Sequence, residues 1–151
     1  MSSSAYAFTV QLALETGGLL TDFFRSHQTD ADLKADNTLV TRADLEADQL
    51  IQEAIRAEFP GDGLLTEESS TRYPAEPDFV WVIDPLDGTT NLSLGLHYWG
   101  VSIARLKNGF PVTAALNFPL IDELYSASKG EGAWLNDQSL TIQDPRMTSP
   151  H

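Results

Sequence analysis

A run of apolar, strand-favouring residues constrains the fold of this chain more than any other feature of its sequence. Residues 79–83 are Phe-Val-Trp-Val-Ile, with no polar side chain among them. A strand with one buried face alternates apolar and polar residues, whereas a strand buried on both faces is apolar throughout. We therefore expect a buried strand here, and we expect Pro85 to end it because proline donates no hydrogen bond to a sheet.

A first amphipathic helix is predicted over residues 5–26. Apolar residues recur there at a spacing near 3.6, and the face that they form consists of Phe8, Leu12, Leu19 and Phe23. Gly17 and Gly18 weaken a helix, so close packing against them is the expected reason for their presence. Residues 27–37 contain no regular apolar period, which predicts a loop.

A second helix is predicted to begin at Thr41, because Asp44 follows it three residues later in the pattern of a capping box. Pro60 and Gly61 are expected to stop this helix. Its predicted apolar face consists of Leu45, Ile51, Ile55 and Phe59.

A series of short strands is predicted after the buried strand. The segments are residues 101–106, 112–118, 123–128, 133–135 and 140–142. Asn108-Gly109 is a typical turn between the first two. Two helices followed by consecutive strands predict an α+β fold, formed by one domain over residues 1–151.

Composition and charge exclude several classes of function. The chain has 22 acidic and 9 basic residues, a formal net charge of −13, and no cysteine. Binding to nucleic acid or to an anionic membrane needs clustered Lys and Arg, so neither partner is expected. The lack of cysteine excludes disulfides, thiolate metal sites and thiol nucleophiles.

Targeting signals are also missing from the sequence. No segment reaches the roughly 18 apolar residues that span a bilayer. The first residues, Met-Ser-Ser-Ser-Ala-Tyr, lack the basic and apolar regions of a secretory signal. We therefore expect a cytoplasmic protein.

The densest chemical signal is the octapeptide 84–91, Asp-Pro-Leu-Asp-Gly-Thr-Thr-Asn. Asp84 and Asp87 stand on either side of a bend, where both carboxylates and the carbonyl of Leu86 can face one ion. Mg²⁺ prefers such oxygen ligands. The glycine and threonines that follow offer successive backbone N–H groups, as a phosphate cradle does. A solvated Asp-Gly turn is the alternative, and this octapeptide alone does not decide between them.

Two further acidic features have ordinary explanations when each is taken alone. Glu67-Glu68 is typical of a solvated loop, and Asp44 is typical of a helix start. His97 lies beside two aromatic residues and is interpreted as a packing or loop residue. The sequence has no Gly-x-Ser-x-Gly and no Gly-x-x-x-x-Gly-Lys-Ser/Thr motif, so other common catalytic schemes find no support.

In combination, these features resemble the inositol monophosphatase family of Mg²⁺-dependent, lithium-sensitive phosphatases. The resemblance rests on residues 40–44, 67–68 and 81–91, and it continues through residues 98–106 and 129–134. It implies the N-terminal half of a layered αβαβα sugar-phosphatase fold, with two helices packed on a mainly antiparallel sheet.

The resemblance also implies a role for each motif residue. Glu67, Asp84 and the Leu86 carbonyl would hold one Mg²⁺, and Asp84 and Asp87 would share a second. Thr89 and Glu67 would orient the attacking water on the first site and take its proton. Asp44 would support Thr89 through a hydrogen bond, and the N–H groups of Gly88 and Thr89 would hold the substrate phosphate.

Members of this family are about twice as long as the chain, whose last residues show no helix stop. We therefore expect a truncated form that lacks the aspartate completing the second metal site. The expected function is hydrolysis of a small phosphate monoester, such as an inositol or similar sugar or polyol phosphate. The alternative is a non-catalytic fragment that acts through oligomerisation or partner binding. Open sheet edges predict self-association in either case.

Overall fold

The computed structural model describes residues 4–26, 31–33, 39–69 and 72–141. The helices are α1 (Ser4–Ser26), α2 (Arg42–Glu58), α3 (Thr89–Ser93) and a 3₁₀ turn at Pro119–Ile121. The strands are β1 (Ala31–Leu33), β2 (Leu39–Thr41), β3 (Gly63–Thr66), β4 (Phe79–Asp87), β5 (Gly100–Lys107), β6 (Phe110–Phe118), β7 (Glu123–Ser128), β8 (Gly132–Leu135) and β9 (Gln138–Ser139).

Strands β3 to β9 form one seven-stranded sheet in sequence order. The β3–β4 pair is parallel, with Thr66 opposite Ile83, and every other neighbouring pair is antiparallel. Helices α1 and α2 pack against this sheet and against each other. The predicted α+β class, with two helices on a mainly antiparallel sheet, is confirmed.

The core lies between the two long helices and the sheet. Trp81 is completely buried, and the rings of Phe8 and Phe59 lie 5.7 and 5.3 Å from its ring. A Cβ atom on Gly17 would lie 2.2 Å from Nδ2 of Asn117, which confirms the predicted close packing at that glycine. Among the described residues nothing lies within 4 Å of such an atom on Gly18, so close packing within them does not explain the second glycine.

The predicted faces of the two helices are partly wrong. Leu12 and Phe23 are buried as expected, but the fully buried residue in the last turns of α1 is Leu20, while Leu19 is half-buried. Leu45 is 53% exposed, because the face of α2 turned to the protein carries Asp44 and Asp48 instead. Apolar spacing alone does not reveal a buried face that includes carboxylates.

The predicted start and end of the second helix are confirmed. The capping box is present at the start of α2: Thr41 Oγ1 accepts from the backbone N–H of Asp44, and the Asp44 carboxylate accepts from the N–H of Thr41. Helix α2 ends at Glu58, directly before Phe59 and the predicted stop.

Strand β4 does not end at Pro85, contrary to the prediction. It continues to Asp87, and the pairing changes from Asp84 opposite Ser102 to Asp87 opposite Gly100. Three residue steps on β4 therefore match two on β5, which is the geometry of a β-bulge. A bulge leaves a residue without ladder bonds, so a proline is tolerated there.

Three other strand predictions need correction. Part of the predicted loop 27–37 is strand β1, which pairs with β2, and the rest of that loop lies outside the described residues. Strand β3 was not predicted, since its apolar run is only Leu64-Leu65. The last described strand is Gln138–Ser139 rather than residues 140–142, of which Ile142 lies outside the described residues.

The remaining strands lie where the sequence placed them. The predicted segments 101–106, 112–118, 123–128 and 133–135 fall within β5, β6, β7 and β8. The turn between β5 and β6 has positive φ at Asn108 (49°) and at Gly109 (82°), as a type I′ hairpin turn requires.

Candidate active site

The acidic motifs meet at one edge of the sheet. Because β3 and β4 run parallel, their C-terminal ends lie side by side, and the backbone N–H of Glu67 donates to the carbonyl of Ile83 at 3.3 Å. This brings Glu67, at the end of β3, next to Asp84, and Asp87 lies near Asp84 at the end of β4. Residues 17 positions apart or more in the chain are thereby brought together.

Asp84 carries the clearest electrostatic signature of the cluster. Burial raises the pKa of its carboxyl from the ordinary value of 3.8 to about 7, and the negative charge of Glu67, a hydrogen bond with Glu67 and the charge of Asp87 add to the shift. The backbone N–H of Leu86 donates to Asp84 Oδ1 at 3.2 Å and opposes this rise in pKa. The site therefore brings acidic groups together around a partly buried carboxyl, which disfavours the charged form of Asp84.

The bulge in β4 sets the direction of the groups around it. The side chain of Leu86 is buried in the core, while Asp87 next to it is exposed. The carbonyl of Leu86 accepts a hydrogen bond from Oγ1 of Thr89 at 3.3 Å, so this carbonyl lies on the same side as the site. An anchored apolar side chain thus fixes the backbone that carries the two aspartates.

Asp44 is a buried carboxylate with two tasks. It is 1% exposed, and its Oδ2 accepts from the backbone N–H of Thr41 at 2.9 Å as part of the capping box. Its other oxygen, Oδ1, accepts from Oγ1 of Thr89 at 2.8 Å. The hydrogen bond between Asp44 and Thr89 that the resemblance implied is present, and it ties the start of α2 to the end of β4.

Gly88 permits the turn from β4 into α3. Its φ is +89°, and a Cβ atom there would lie 3.1 Å from the carbonyl oxygen of Tyr98. The helical turn begins at the next residue, Thr89. The N–H groups of a first helical turn have no acceptor inside the helix, so this segment offers donors to an anion.

The donor set fits a hard divalent cation, although it is not a closed metal centre. Within the described ranges, no three Asp, Glu or His side chains converge as a formed ligand group. Glu67 and Asp84 nevertheless lie within hydrogen-bond contact of each other, and Asp87 is near enough to raise the pKa of Asp84. Carboxylates together with a backbone carbonyl are the ligand types that Mg²⁺ takes.

Sequence reasoning missed one part of this region. Asp48, Gln52 and Ser69 form a hydrogen-bonded group beneath the segment that carries Glu67. The available signal was the four-residue spacing of Asp44 and Asp48, which places both on one face of a helix. His97 lies 5.6 Å from the ring of Phe24, edge to face, which agrees with its interpretation as a packing residue.

Comparison with known proteins identifies the family. The model of the inositol monophosphatase family matches residues 1–150. The chain belongs to the inositol monophosphatase family. The recognition made from the sequence motifs is therefore confirmed.

Relatives within the inositol monophosphatase family bear different functional names. The chain is 38% identical to a histidinol-phosphatase of Chlorobaculum parvum over 88% of this chain and 51% of that protein. It is 36% identical to the Nus factor SuhB of Pasteurella multocida over 91% of this chain and 52% of that protein. The chain thus spans about half the length of these curated relatives.

Solved structures of inositol monophosphatases share this fold. The IMPase of Thermotoga maritima superimposes with a TM-score of 0.83 at 28% identity, covering 92% of this chain and 54% of that one. In the part of the chain that the structure describes, no helix is long and apolar enough to cross a membrane.

Proposed function

We propose that this chain is the metal- and phosphate-binding part of a Mg²⁺-dependent phosphatase that hydrolyses a small phosphate monoester. The observation that carries the proposal is the contact of Glu67 with Asp84 at the ends of two parallel strands, with Asp87 close to Asp84, where the pKa of Asp84 rises to about 7. Carboxylates this close together repel one another and lower the stability of the fold unless a cation binds to them.

Each oxygen donor has a proposed place in metal binding. Glu67, Asp84 and the Leu86 carbonyl would hold the first Mg²⁺, and Asp84 and Asp87 would share the second. When bound, Mg²⁺ neutralises phosphoryl oxygens and lowers the pKa of a coordinated water. The exposed position of Asp87 leaves it free to meet an ion that also contacts substrate.

Thr89 is proposed to orient the attacking water. Its hydroxyl proton is directed to Oδ1 of Asp44 or to the Leu86 carbonyl, so its oxygen lone pairs remain available to accept a hydrogen bond from that water. Glu67 would take the proton of that water. Asp44 is buried and holds Thr89 in this orientation.

Gly88 and Thr89 are proposed to bind the phosphate through their backbone N–H groups. The positive φ of Gly88 and its close approach to Tyr98 fix the direction of this backbone. Rigid donors of this kind stabilise charge on a phosphoryl group without reorganising during the reaction.

The substrate class follows from the family and its named members. The relatives compared above include a histidinol-phosphatase and an IMPase. We therefore propose small polyol or amino-alcohol monophosphates as substrates. Because the chain spans about half of these relatives, we propose that turnover needs groups beyond those of residues 1–151.

The alternative is a non-catalytic protein that acts by oligomerisation or partner binding. One relative is named as a Nus factor rather than as an enzyme. Large apolar side chains are exposed, including Leu94 (70%) and Phe110 (71%). Self-association is expected in both cases, and sedimentation of a dilute sample as a compact monomer would contradict it.

Phosphate release decides between the two functions. Inositol monophosphate and histidinol phosphate are offered to the chain, to Asp87→Asn and to the control Asp137→Asn, with and without Mg²⁺. Asp137 is an exposed acid in the turn between β8 and β9, far along the chain from the site. We expect Mg²⁺ binding without turnover, and we expect Asp87→Asn to remove that binding and Asp137→Asn to retain it.

Turnover and binding have different meanings. Turnover by the unaltered chain would make it an enzyme by itself and would overturn the proposal that further groups are needed, whereas binding without turnover makes it a half-site that needs the remainder of the fold. If calorimetry detects no Mg²⁺ binding to the unaltered chain, Asp84 and Asp87 are not ligands and the proposal is wrong.

A further inference from the structure

Asp48 is a buried carboxylate, and neither the sequence motifs nor the proposed function assigns it a role. It lies one turn after Asp44 on α2 and is 4% exposed. Its Oδ2 accepts from Nε2 of Gln52 and from Oγ of Ser69, each at 2.7 Å. Its Oδ1 is buried and has no hydrogen-bond partner in the described part of the chain. Burying a carboxylate costs free energy, so its burial at this place needs a physical reason.

The contact with Ser69 acts on the turn that carries Glu67. The backbone N–H of Ser69 donates to Oγ1 of Thr66 at 3.0 Å, and the two hydroxyl oxygens of these residues are also 3.0 Å apart. Thr66 and Ser69 thus close a four-residue turn around Glu67. Whatever holds Ser69 therefore limits where the Glu67 backbone can lie.

Arg56 orients the side chain of Gln52, which donates to Asp48. Nη2 of Arg56 donates to Oε1 of Gln52 at 2.7 Å. With the oxygen of its amide occupied in this way, Gln52 turns Nε2 toward both Asp48 and Ser69. Residues of α2 therefore hold the carboxylate of Asp48 in place. Ser69 attaches the turn around Glu67 to this carboxylate.

Helix α2 contacts the segments that follow β4 and β3 in the same way, through a carboxylate that accepts a hydrogen bond from a hydroxyl. Asp44 accepts from Thr89, which follows β4, and Asp48 accepts from Ser69, which follows β3. We propose that Asp48 is a positioning residue that fixes Glu67 through Ser69, so that one helix sets the separation of Glu67 from Thr89. This inference rests on the proposed function, in which Glu67 is a metal ligand.

The geometry distinguishes hydrogen bonding from charge as the means of positioning. Both donors reach the same oxygen of Asp48, and the other oxygen is unpartnered. An asparagine can place its Oδ1 where Oδ2 lies and its Nδ2 at the unpartnered position. Asp48→Asn therefore keeps the two hydrogen bonds without the charge, whereas Asp48→Ala loses both.

Mg²⁺ affinity, measured by titration calorimetry on the full chain, is the first test. We expect Asp48→Ala and Ser69→Ala each to weaken Mg²⁺ binding about tenfold or more, as loss of a residue that orients a ligand does. Asp48→Asn is expected to stay within about threefold of the unaltered chain. The double variant is expected to match the single ones, because both remove the same contact.

Glu53→Ala is the matched control. Glu53 lies on the same helix and accepts from Nε2 of Gln49 at 2.8 Å, so it is also an acid paired with glutamine four residues away. It is exposed, and no hydrogen bond among the described residues joins it to the turn. Its loss is expected to leave Mg²⁺ affinity unchanged. Ser69 is exposed, so Ser69→Ala keeps the test valid if Asp48→Ala does not fold.

Amide hydrogen exchange gives a second measurement that does not depend on metal. We expect the Ser69 amide to exchange about tenfold faster in Asp48→Ala than in the unaltered chain, with Ile83 and other β4 amides unchanged. In folded Asp48→Ala, unchanged Mg²⁺ affinity would overturn the inference, and so would unchanged Ser69 exchange. So would an Asp48→Asn variant as defective as Asp48→Ala.

The two proposals can fail separately. If the unaltered chain binds no Mg²⁺, the proposed function is wrong, and Ser69 exchange still decides whether Asp48 positions the turn. If the chain binds Mg²⁺ and Asp48→Ala binds it equally well, the proposed function stands and the role of Asp48 is overturned.

Discussion

The two ends of strand β4 place acidic groups in very different surroundings. Near its start, Asp62 accepts from Trp81 Nε1 at 2.8 Å and pairs with Arg105 at 2.7 Å. The guanidinium of Arg105 also lies 3.8 Å from the ring centre of Phe79. Near its end, Asp84 meets two more acids, and no ion pair in the described part of the chain joins them to Lys or Arg.

This contrast separates stability from function within one strand. A carboxylate whose partners are all present stabilises its surroundings, and removal of one partner exposes the full cost of burial. Carboxylates that lack a partner lower stability and create affinity for a cation. The Asp62 end therefore fixes the sheet, and the Asp84 end is prepared for a ligand.

The largest effect is expected near the start of β4, where Asp62 has both of its partners. Asp62→Ala leaves Arg105 largely buried without its anion and Trp81 without its acceptor, so we expect a loss of about 3 kcal/mol in the free energy of unfolding. Urea titration measures it. Glu46→Ala breaks the exposed pair with Arg42 and is expected to cost less than about 1 kcal/mol. Equal losses in the two variants would remove the contrast.

Mg²⁺ is expected to stabilise the other end. At a Mg²⁺ concentration about 100 times the dissociation constant, linkage gives a gain of about 2.7 kcal/mol. Thermal unfolding with and without Mg²⁺ measures this gain. Asp87→Asn is expected to lose most of it, and Asp137→Asn to keep it. Equal gains in both variants would place the ion elsewhere.

Stability of the metal-free chain is expected to depend on pH through Asp84. The folded-state pKa of about 7 lies above the ordinary value of 3.8, so the folded chain holds this proton more tightly. The stabilisation is full below about pH 4 and is lost as pH rises to about 7. Asp84→Asn removes the charge, and we expect it to raise stability at pH 8 by on the order of 1 kcal/mol after allowance for solvent screening.

The control for this measurement is again Asp137→Asn, which should keep the fall in stability between pH 4 and pH 7. Urea unfolding in the presence of a chelator gives the free energy at each pH. An Asp84→Asn profile as steep as that of the unaltered chain would show that another group causes the pH dependence.

The last prediction concerns the backbone of the site. Gly88→Ala puts a Cβ atom at φ +89° and 3.1 Å from the Tyr98 carbonyl, and we expect it to cost about 1–2 kcal/mol. Gly109→Ala has a similar φ of +82°, but no described residue lies within 4 Å of the added atom, so it should cost less. Urea titration compares them, and a larger loss for Gly109→Ala would contradict the close approach at Gly88.

Much of the fold was predictable because its signals are local. The apolar run at residues 79–83, the capping box of Thr41 and Asp44 and the Asn108-Gly109 turn each depend on neighbours in the chain, and all three are found. The wrong predictions involve distant partners. Leu45 is exposed because its helix turns carboxylates toward the strand ends, and periodicity cannot indicate that.

The site divides in the same way. The sequence by itself determined the family and the residues of the motifs, since these are read from short segments. Only the tertiary structure decided that β3 pairs in parallel with β4, that Pro85 sits in a bulge, and that Asp48 meets Ser69 across 21 residues. These are contacts between segments far apart in the chain, and their free energies depend on packing and burial that no local pattern encodes.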